Sequence, residues 1–255
     1  MSEAGNPVIL TYHSISEGDS PLKISPRVFA EQMEWLAANA NVAPLGALVD
    51  LLRDGKALPQ RTVALTFDDG FADFFTSAAP VLARLRLPAI VFLPTRHVGR
   101  KNNWPGQPEW VTPEPLLNWQ EVSELAAGGV EFGSHSVSHP DFSALPAGDV
   151  DAEAADSKRE IAERTGRAPE FFCYPYGRWS PAAREVVSQH YRAACTTEAA
   201  LLRPGCDVQA LPRVDAHYVR DLTLFRKMFT ANFRRYVGVR RVIRRLRGEP
   251  EGGYG

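Results

Sequence analysis

Two adjacent carboxylates are the first residues in this sequence whose arrangement suits chemistry. Asp68 and Asp69 follow the apolar run at 62–67, and Gly70 comes directly after them. Side chains alternate faces along a strand, so both carboxylates can reach one site only if the chain bends at the glycine. One carboxylate can then bind a metal ion while its neighbour meets substrate or water. A simple turn or a helix N-cap is the alternative interpretation of Asp-Asp-Gly.

Two histidines supply further ligands for a metal ion. His135 and His139 are four positions apart in a chain that has only 6 histidines. At this spacing both imidazoles share one helix face or one tight loop and can reach the same ion. With Asp69 they form a set of three protein ligands with open positions, which is typical of a catalytic metal site. Zn²⁺ fits these ligands best, Co²⁺, Ni²⁺ and Fe²⁺ are also compatible, and two solvent histidines are the alternative.

The carboxylate outside this set, Asp68, favours hydrolysis over the non-haem iron oxygenase chemistry that the same ligands support. Hydrolysis needs a base beside the water on the ion.

A bend at Pro175 and Gly177 follows a later apolar stretch. This bend can direct the backbone N–H of Tyr176 at a developing oxyanion, and the rings of Tyr176 and Trp179 offer faces for a sugar. A surface turn flanked by core aromatics is the alternative.

Strand-like and helix-like segments alternate along the chain, which predicts an α/β fold with a mostly parallel sheet and outer helices. The runs TVALTF and AIVFL are continuously apolar, as interior strands of a parallel sheet are. Six or seven strand–helix units are enough to close a small barrel. The predicted strands are 7–13, 62–67, 89–93, 130–133, 171–174 and 192–196, and the predicted helices are 26–40, 45–53, 74–85, 118–127, 149–165, 181–190 and 221–247.

The ends of these predicted strands carry the polar residues of interest. His13, Asp68, His135 and Tyr174 each stand where a strand ends or just beyond it. Reactive groups in parallel α/β folds lie at the carboxyl ends of the strands, so we expect these residues to gather at one face. The stretch 95–117 has no periodicity and is interpreted as a functional loop or lid.

The overall composition is globular and its charge is balanced. The 255 residues include 29 Lys and Arg against 30 Asp and Glu, which argues against a globally basic nucleic-acid binder. No apolar run reaches the roughly 18 residues of a membrane span. The 3 cysteines give no disulfide framework, and the first residues lack a signal-peptide pattern. These features predict a cytoplasmic protein.

The last part of the chain is strongly basic. Residues 220–247 hold ten Lys and Arg against one acid, Asp221, a net charge of +9 in a chain whose total is −1. We therefore expect a catalytic domain at 1–220 and a basic helical tail at 221–255. Arginines recur in the tail at three- to four-residue spacing with aliphatic residues between them, which predicts an amphipathic helix able to lie on an anionic membrane. A solvated helix or a disordered end is the alternative.

Three motifs in this order resemble those of the polysaccharide deacetylase family, the NodB-homology domain of the carbohydrate esterases. They are TFDDG at 66–70, HSVSH at 135–139 and YPYG at 174–177, and the likeness extends from about residue 7 to residue 213. The resemblance implies a distorted α/β barrel of about seven parallel strands, a divalent metal that is usually zinc, and removal of acetyl groups from N-acetylated sugars. It implies these roles: Asp68 as catalytic base, Asp69, His135 and His139 as metal ligands, and Tyr176 as the donor of the oxyanion N–H.

The sequence departs from the family pattern at two points. The third motif usually begins with an arginine, where Cys173 stands here, so we expect Arg213 or another basic group to hold the Asp68 carboxylate. The late Leu-x-His motif that supplies the general acid is missing after residue 177. The sequence therefore resembles a circularly permuted branch of the family in which His13, on the first strand, supplies the acid, with His217 as its rival.

The residues and the resemblance together predict a metal-dependent hydrolase, with Zn²⁺ as its ion. Its expected substrate is an N-acetylated sugar in a polysaccharide or in a lipid-linked glycan precursor, the latter if the tail contacts the inner face of a membrane. The residues Trp104, Trp110 and Trp119 slightly favour a sugar ligand, with a place in the lid or the core as the alternative. Two alternatives stay open: hydrolysis of a non-sugar amide by the same site, and a non-catalytic sugar-binding relic of the fold.

Overall fold

The computed structural model describes the backbone of residues 6–246 and the side chains of residues 6–243. Its elements alternate between strands and helices along the chain. The strands are β1 (Val8–Tyr12), β2 (Asn41–Val42), β3 (Thr62–Phe67), β4 (Ile90–Leu93), β5 (Glu131–Ser134), β6 (Phe171–Cys173), β7 (Ala193–Ala199) and β8 (Leu211–Asp215). The α-helices are α1 (Pro26–Asn39), α2 (Leu45–Arg53), α3 (Ala79–Leu85), α4 (Trp119–Ala127), α5 (Ala147–Thr165), α6 (Pro181–His190), α7 (Leu222–Phe225) and α8 (Ala231–Leu246).

Seven of these strands close into a parallel barrel. Going round it, β3 to β8 follow chain order, and β1 completes the ring between β8 and β3. The two-residue strand β2 pairs with β3 outside the ring. The predicted α/β barrel of about seven parallel strands is confirmed, and the closure brings the carboxyl ends of all seven strands to one face.

Local signals in the sequence begin the helices where we expected them. Ser25 accepts a hydrogen bond from the N–H of Val28 at the start of α1, and Ser180 caps α6 in the same way. Asn118 and Glu121 form the predicted capping box at α4, each side chain accepting a bond from the other's backbone N–H. Such caps satisfy amide groups that the first turn leaves without partners.

Apolar side chains fill the barrel and the space between the barrel and its helices. The residues of β1 and β3 are buried along their whole lengths. One cluster joins barrel residues such as Ile9 and Phe92 to Leu45, Leu48 and Val49 of α2. A larger cluster joins other faces of the strands to the surrounding helices, α1 and α8 among them. Burial of these faces is the main force that holds the strand ends in position.

The structure differs from the prediction in two respects. The strands β2 and β8 were not predicted, because β2 has two residues and β8 (LPRVD) interrupts its apolar character with Pro, Arg and Asp. The single basic helix predicted at 221–247 is two helices, α7 and α8, separated at 226–230, and residue 247 lies outside the described residues.

The residues after 220 share the core of the barrel. Phe225 and Phe233 are fully buried, and Val237 is nearly so, in the cluster that also contains Leu10 of β1. The opposite side of α8 exposes Val239, which is 57% accessible. The expected boundary at residue 220 stays a prediction, and a cut near it would remove buried side chains from the core. Among the described helices, none combines the length and the apolar character needed to cross a membrane.

Candidate active site

Three buried side chains at the face formed by the strand ends converge on one point. The Oδ1 atom of Asp69, just after β3, lies 3.4 Å from Nε2 of His135 and 3.4 Å from Nε2 of His139. All three residues are buried. Ligand atoms about 2.0–2.1 Å from a tetrahedral zinc ion are about 3.4 Å from one another. The spacing of these atoms therefore suits a small divalent ion.

The orientation of His135 is set by a hydrogen bond from the far side of its ring. Its Nδ1 lies 2.7 Å from the carbonyl oxygen of Cys173 at the end of β6. A carbonyl only accepts, so Nδ1 carries the proton, and in the neutral ring Nε2 presents a lone pair towards Asp69. This arrangement, in which a backbone carbonyl fixes the tautomer of a ligating histidine, is common around bound metals.

The surroundings of His139 also fit a metal ligand. Its ring stacks on the indole of Trp104, with centroids 4.0 Å apart. Neither ring nitrogen has a hydrogen-bond partner among the described residues. Burial lowers the pKa of His139 to about 4, so the ring is neutral at pH 7, the form that binds metals. Nε2 faces the Asp69 carboxylate at 3.4 Å without a hydrogen bond, and buried polar atoms in this situation are unusual. An ion held by both residues would satisfy them.

The loop that carries the two histidines is held by a residue that the sequence analysis missed. Glu153 of α5 accepts hydrogen bonds from the N–H groups of Val137 and Ser138, at 2.7 and 2.8 Å, and from the Ser138 hydroxyl. These bonds fix the segment between His135 and His139. Glu153 lies in a polar stretch of helix, and nothing in the local pattern marks it.

Three residues of the site have a left-handed backbone, which is uncommon outside glycine. Asp69, His139 and Tyr176 have φ values of 67°, 60° and 57°. Gly70 follows with φ of 66°, and a Cβ atom there would lie 2.6 Å from the Leu93 side chain. The bend after β3 is therefore present, and it lets the two neighbouring carboxylates face different partners. Such strained conformations cluster at functional sites.

The second carboxylate, Asp68, is held by a buried arginine. Arg213 of β8 donates to both of its oxygens, at 2.8 and 2.6 Å, and is 2% exposed. Its other contacts include the carbonyl oxygen of Thr196 and the hydroxyl of Thr66. Burial alone would raise the pKa of Asp68, but the charge and hydrogen bonds of Arg213 outweigh it and hold that pKa below its usual range. Asp68 is therefore ionised at neutral pH.

Cys173, at the position where the resemblance in sequence leads one to expect an arginine, lies against the same pair. Its Sγ is 3.0 Å from Nη2 of Arg213 and 3.7 Å from Oδ2 of Asp68. Burial raises the pKa of the thiol to about 11, so it is neutral at pH 7. Asp68, His135 and Cys173 are also close enough to hold an ion. The guanidinium on Asp68 disfavours a cation there, which leaves the Asp69 set as the better site.

His13 is the candidate acid that lies beside Asp68. The last residue of β1, Tyr12, accepts a hydrogen bond from the N–H of Asp68 at 2.9 Å, so His13 and Asp68 leave adjacent strands side by side. His13 is 7% exposed and contributes to lowering the pKa of Asp68. The rival, His217, is half-buried in the turn after β8, and the charges that act on it are those of Asp215 and two arginines.

Asp69, His135 and His139 are called the triad below. Some of the aromatic residues lie at the triad and others lie away from it. The Tyr176 ring lies 4.6 Å from the His139 ring, and burial raises the pKa of its hydroxyl to about 12. Trp179 packs in a separate cluster with Phe142 and Tyr174. Trp104, in the aperiodic loop, is the tryptophan that contacts the triad. Its large ring in a loop rich in turn residues was the available signal.

A barrel with three convergent metal-ligating side chains and an ionised carboxylate at its strand ends defines a class of metal-dependent hydrolase sites. A family model described as polysaccharide deacetylase matches residues 55–194. This span is more than half of the chain, so the chain belongs to the polysaccharide deacetylase family. The predicted family is confirmed, and with it the class of enzyme: a hydrolase of the amide bond that joins an acetyl group to a sugar.

Individual relatives agree with this assignment. The Bacillus subtilis protein YxkH is 29% identical over 209 residues, which are 81% of this chain and 70% of that protein. The poly-β-1,6-N-acetyl-D-glucosamine N-deacetylase of Escherichia coli is 29% identical over 51% of this chain, a match that spans 20% of the E. coli protein. The structure of IcaB from Ammonifex degensii superposes with a TM-score of 0.71 and 27% identity, covering 82% of this chain and 91% of that one.

The buried pair of Arg213 and Asp68 predicts a large loss of stability when the arginine is removed. Arg213→Met leaves a buried carboxylate without its partner, so we expect the free energy of unfolding to fall by about 3–5 kcal/mol at pH 7. Burial then raises the pKa of Asp68 in the variant. As the pH falls, Asp68 of the folded variant takes up a proton before it would in the unfolded chain, which stabilises the folded variant. The difference in the free energy of unfolding between the variant and the wild type therefore narrows between pH 7 and about pH 4. Urea unfolding at both pH values measures this.

The matched control is Arg184→Met. Arg184 also donates two bonds to one carboxylate, that of Asp207, at 2.7 Å each, but on the surface. Its removal should lower the free energy of unfolding by about 1 kcal/mol or less. Equal losses in the two variants at pH 7 would contradict the buried-pair interpretation.

Proposed function

We propose that this protein is a zinc-dependent N-deacetylase of a polymer of N-acetylglucosamine. The observation that carries the proposal is the pairing of two different carboxylates on consecutive residues: Asp69 with the two histidines, and Asp68 with Arg213. The name of the E. coli relative supplies the substrate class, although the match spans only 20% of that protein. Two imidazoles and one carboxylate suit zinc better than the harder ions magnesium and calcium.

Asp69, His135 and His139 are the residues that would hold the ion. A bound divalent ion polarises an acyl oxygen and lowers the pKa of water. The ligands keep their orientation because the carbonyl of Cys173 fixes the ring of His135 and Glu153 fixes the loop between the two histidines. These supports pre-organise the site before substrate enters it.

Asp68 serves as the general base in this proposal. Its carboxylate is ionised because Arg213 holds its pKa below the usual range, so it can take a proton from the attacking water. The backbone N–H of Tyr176, in the strained turn beside His139, would donate to the oxygen that becomes negatively charged when water adds to the acetamide carbonyl. The resulting tetrahedral species then breaks its C–N bond.

His13 supplies the proton that the leaving amine needs. Amines are poor leaving groups unless protonated. The reaction therefore requires an acid that can reach the nitrogen of the leaving amine. His13 lies beside Asp68 at the end of the neighbouring strand. The use of a first-strand histidine for this step follows the circularly permuted pattern proposed from the sequence.

Acetate release distinguishes this proposal from the two alternatives left open by the sequence. The wild type should release acetate from N-acetylglucosamine oligomers, lose this activity with a chelator and regain it with Zn²⁺. Release from small non-sugar amides alone would favour the amide hydrolase. No release from either class, with sugar binding retained, would favour the non-catalytic relic.

Replacement of the proposed base should separate turnover from ion binding. Asp68→Asn retains the three proposed ligands, so it should still bind one zinc ion per chain, while kcat falls by about 10²–10⁴ because the water lacks a base. Replacement of the adjacent ligand, Asp69→Asn, should abolish both zinc binding and turnover. Metal analysis and acetate release measure the two effects. An Asp68→Asn variant with wild-type turnover would remove Asp68 from the base role.

The two candidate acids make opposite predictions. His13→Ala should lower kcat by about 10²–10⁴. His217→Ala should have little effect, because the charged groups that act on His217 are Asp215, Arg220 and Arg240 rather than Asp68. The measurement is kcat for each variant, with thermal unfolding to check that both fold. The reverse order of the two effects would assign the acid to His217.

We also propose that the tail contacts an anionic membrane. Val239, Val242 and Ile243 are 57%, 54% and 39% exposed on α8, beside the exposed Arg235. Part of the basic charge is already engaged, since Arg241 pairs with Glu198 of β7. The compartment stays a prediction; its support is the free thiols, two of them buried, which suit a reducing environment.

The membrane proposal is tested on the full chain because truncation would remove Phe233 from the core. The wild type should sediment with phosphatidylglycerol vesicles and not with phosphatidylcholine vesicles, whereas the double variant Val239→Glu, Val242→Glu should lose most of this binding. Equal sedimentation of the two proteins would overturn the proposal.

A further inference from the structure

On the barrel face that carries the triad, we infer a second carbohydrate site that accepts a neighbouring sugar unit of the polymer. The inference rests on the proposed function. The site is a cavity of about 360 Å³ between the segment at 14–23 and the loop at 102–114. This volume lies within the range of about 300–1,000 Å³ that is typical of small-ligand pockets.

The cavity is joined to the triad through one apolar cluster. Leu22, Phe71 and Val111 line the cavity and belong to a buried cluster that also contains Trp104. Trp104 in turn stacks on the ring of His139 at 4.0 Å. The same two segments of chain also contribute to both places. Ser14, one residue after His13, and Phe71, two residues after Asp69, line the cavity. The cavity and the triad therefore border the same apolar cluster, and this is the reason for assigning the cavity to a neighbouring unit of the polymer.

A buried amide nitrogen, Nδ2 of Asn102, lines the cavity without a hydrogen-bond partner among the described residues. Asn102 is 1% exposed, and its Oδ1 accepts a bond from the N–H of Glu114 at 2.6 Å. That bond identifies the amide oxygen, so the remaining amide atom is the nitrogen of the NH₂ group. This Nδ2 has no hydrogen bond among the described residues, and Asn102 lines the cavity. A buried donor of this kind calls for an acceptor from outside, such as a hydroxyl oxygen.

An exposed tryptophan supplies an apolar face in the same cavity. Trp110 is 49% accessible, and it is the one aromatic residue among the large hydrophobic side chains exposed in the described chain. Aromatic faces pack well against the C–H surface of a sugar ring, which has an apolar face and a polar edge. Lys23 and Glu114, paired at 2.8 Å, place charged donors and acceptors near it for hydroxyl groups.

The charges of the lining select a neutral sugar over an anion. Asp19 and Glu114 face the cavity with a single cation, Lys23, which Glu114 already engages. The pair of Lys23 and Glu114 carries no net charge, so a phosphate or carboxylate would meet the negative charge of Asp19, and this arrangement is unfavourable. An uncharged ring with several hydroxyls matches the unsatisfied amide, the tryptophan face and the paired charges together.

Chain-length dependence of activity tests the inference. The substrates are β-1,6-linked N-acetylglucosamine oligomers from the monomer to the pentamer. For the wild type, kcat/KM should rise with length. Trp110→Ala should lower kcat/KM for the pentamer about tenfold more than for the monomer, and Trp110→Phe should restore most of the difference because it keeps an aromatic face.

Two further variants separate recognition from folding. Asn102→Asp keeps the acceptor for the Glu114 N–H and removes the free donor, so it should reduce the gain with length as Trp110→Ala does. Trp119→Ala removes a tryptophan of α4 that lies outside the cavity, and it should leave the ratio of pentamer to monomer unchanged. Thermal unfolding checks that each variant folds.

Calorimetry with chelator-treated protein separates failure of the cavity from failure of the proposed function. Without turnover, the N-acetylated pentamer should bind the wild type more tightly than Trp110→Ala. Absence of acetate release by the wild type at every length would overturn the proposed function, and the calorimetric comparison would then decide the cavity alone. Equal length dependence and equal pentamer binding in the wild type and Trp110→Ala would overturn the second site.

Discussion

The site depends on one buried ion pair, between Arg213 and Asp68. A carboxylate sealed from water remains ionised only if a cation and hydrogen bonds replace its hydration. Arg213 lies on β8, and Asp68 directly follows β3. The strand β1 lies between β8 and β3 in the barrel, so the ion pair reaches across it. The charge state of the proposed base is therefore a property of barrel closure as much as of the residue itself.

The metal-ligand side of the site depends on backbone conformations that the surrounding packing has to maintain. Asp69 and His139 both adopt left-handed φ values, which cost of order 1–3 kcal/mol each. Glu153 supports the histidine loop, and the close fit of Gly70 against Leu93 supports the bend after β3. The bend has a clear use: it turns one of two consecutive carboxylates to the histidines and the other to the arginine.

Much of this arrangement could be predicted from the sequence, for physical reasons. Strand-end positions of polar residues and the spacing of His135 and His139 depend on local periodicity, which sequence records directly. The strand β8 was not predicted, because Pro, Arg and Asp interrupt its apolar run. Its arginine was nevertheless expected to hold Asp68, 145 positions away, because the family motif lacks its usual arginine at Cys173. Trp104 was singled out as an aromatic residue of the aperiodic loop, but its contact with His139 could not be predicted. Glu153 was missed because a polar helix carries no signal about the distant loop that it supports.

The position of these residues along the chain has a consequence for how the protein becomes competent during synthesis. Asp69, His135 and His139 all precede residue 140, whereas Arg213 emerges some seventy residues later. A nascent chain thus presents every candidate ion ligand before the ring can close around them. In the open chain, water keeps the Asp68 carboxylate ionised at neutral pH. Once the barrel buries it, the carboxylate keeps that charge only because the last strand has brought Arg213 into contact with it.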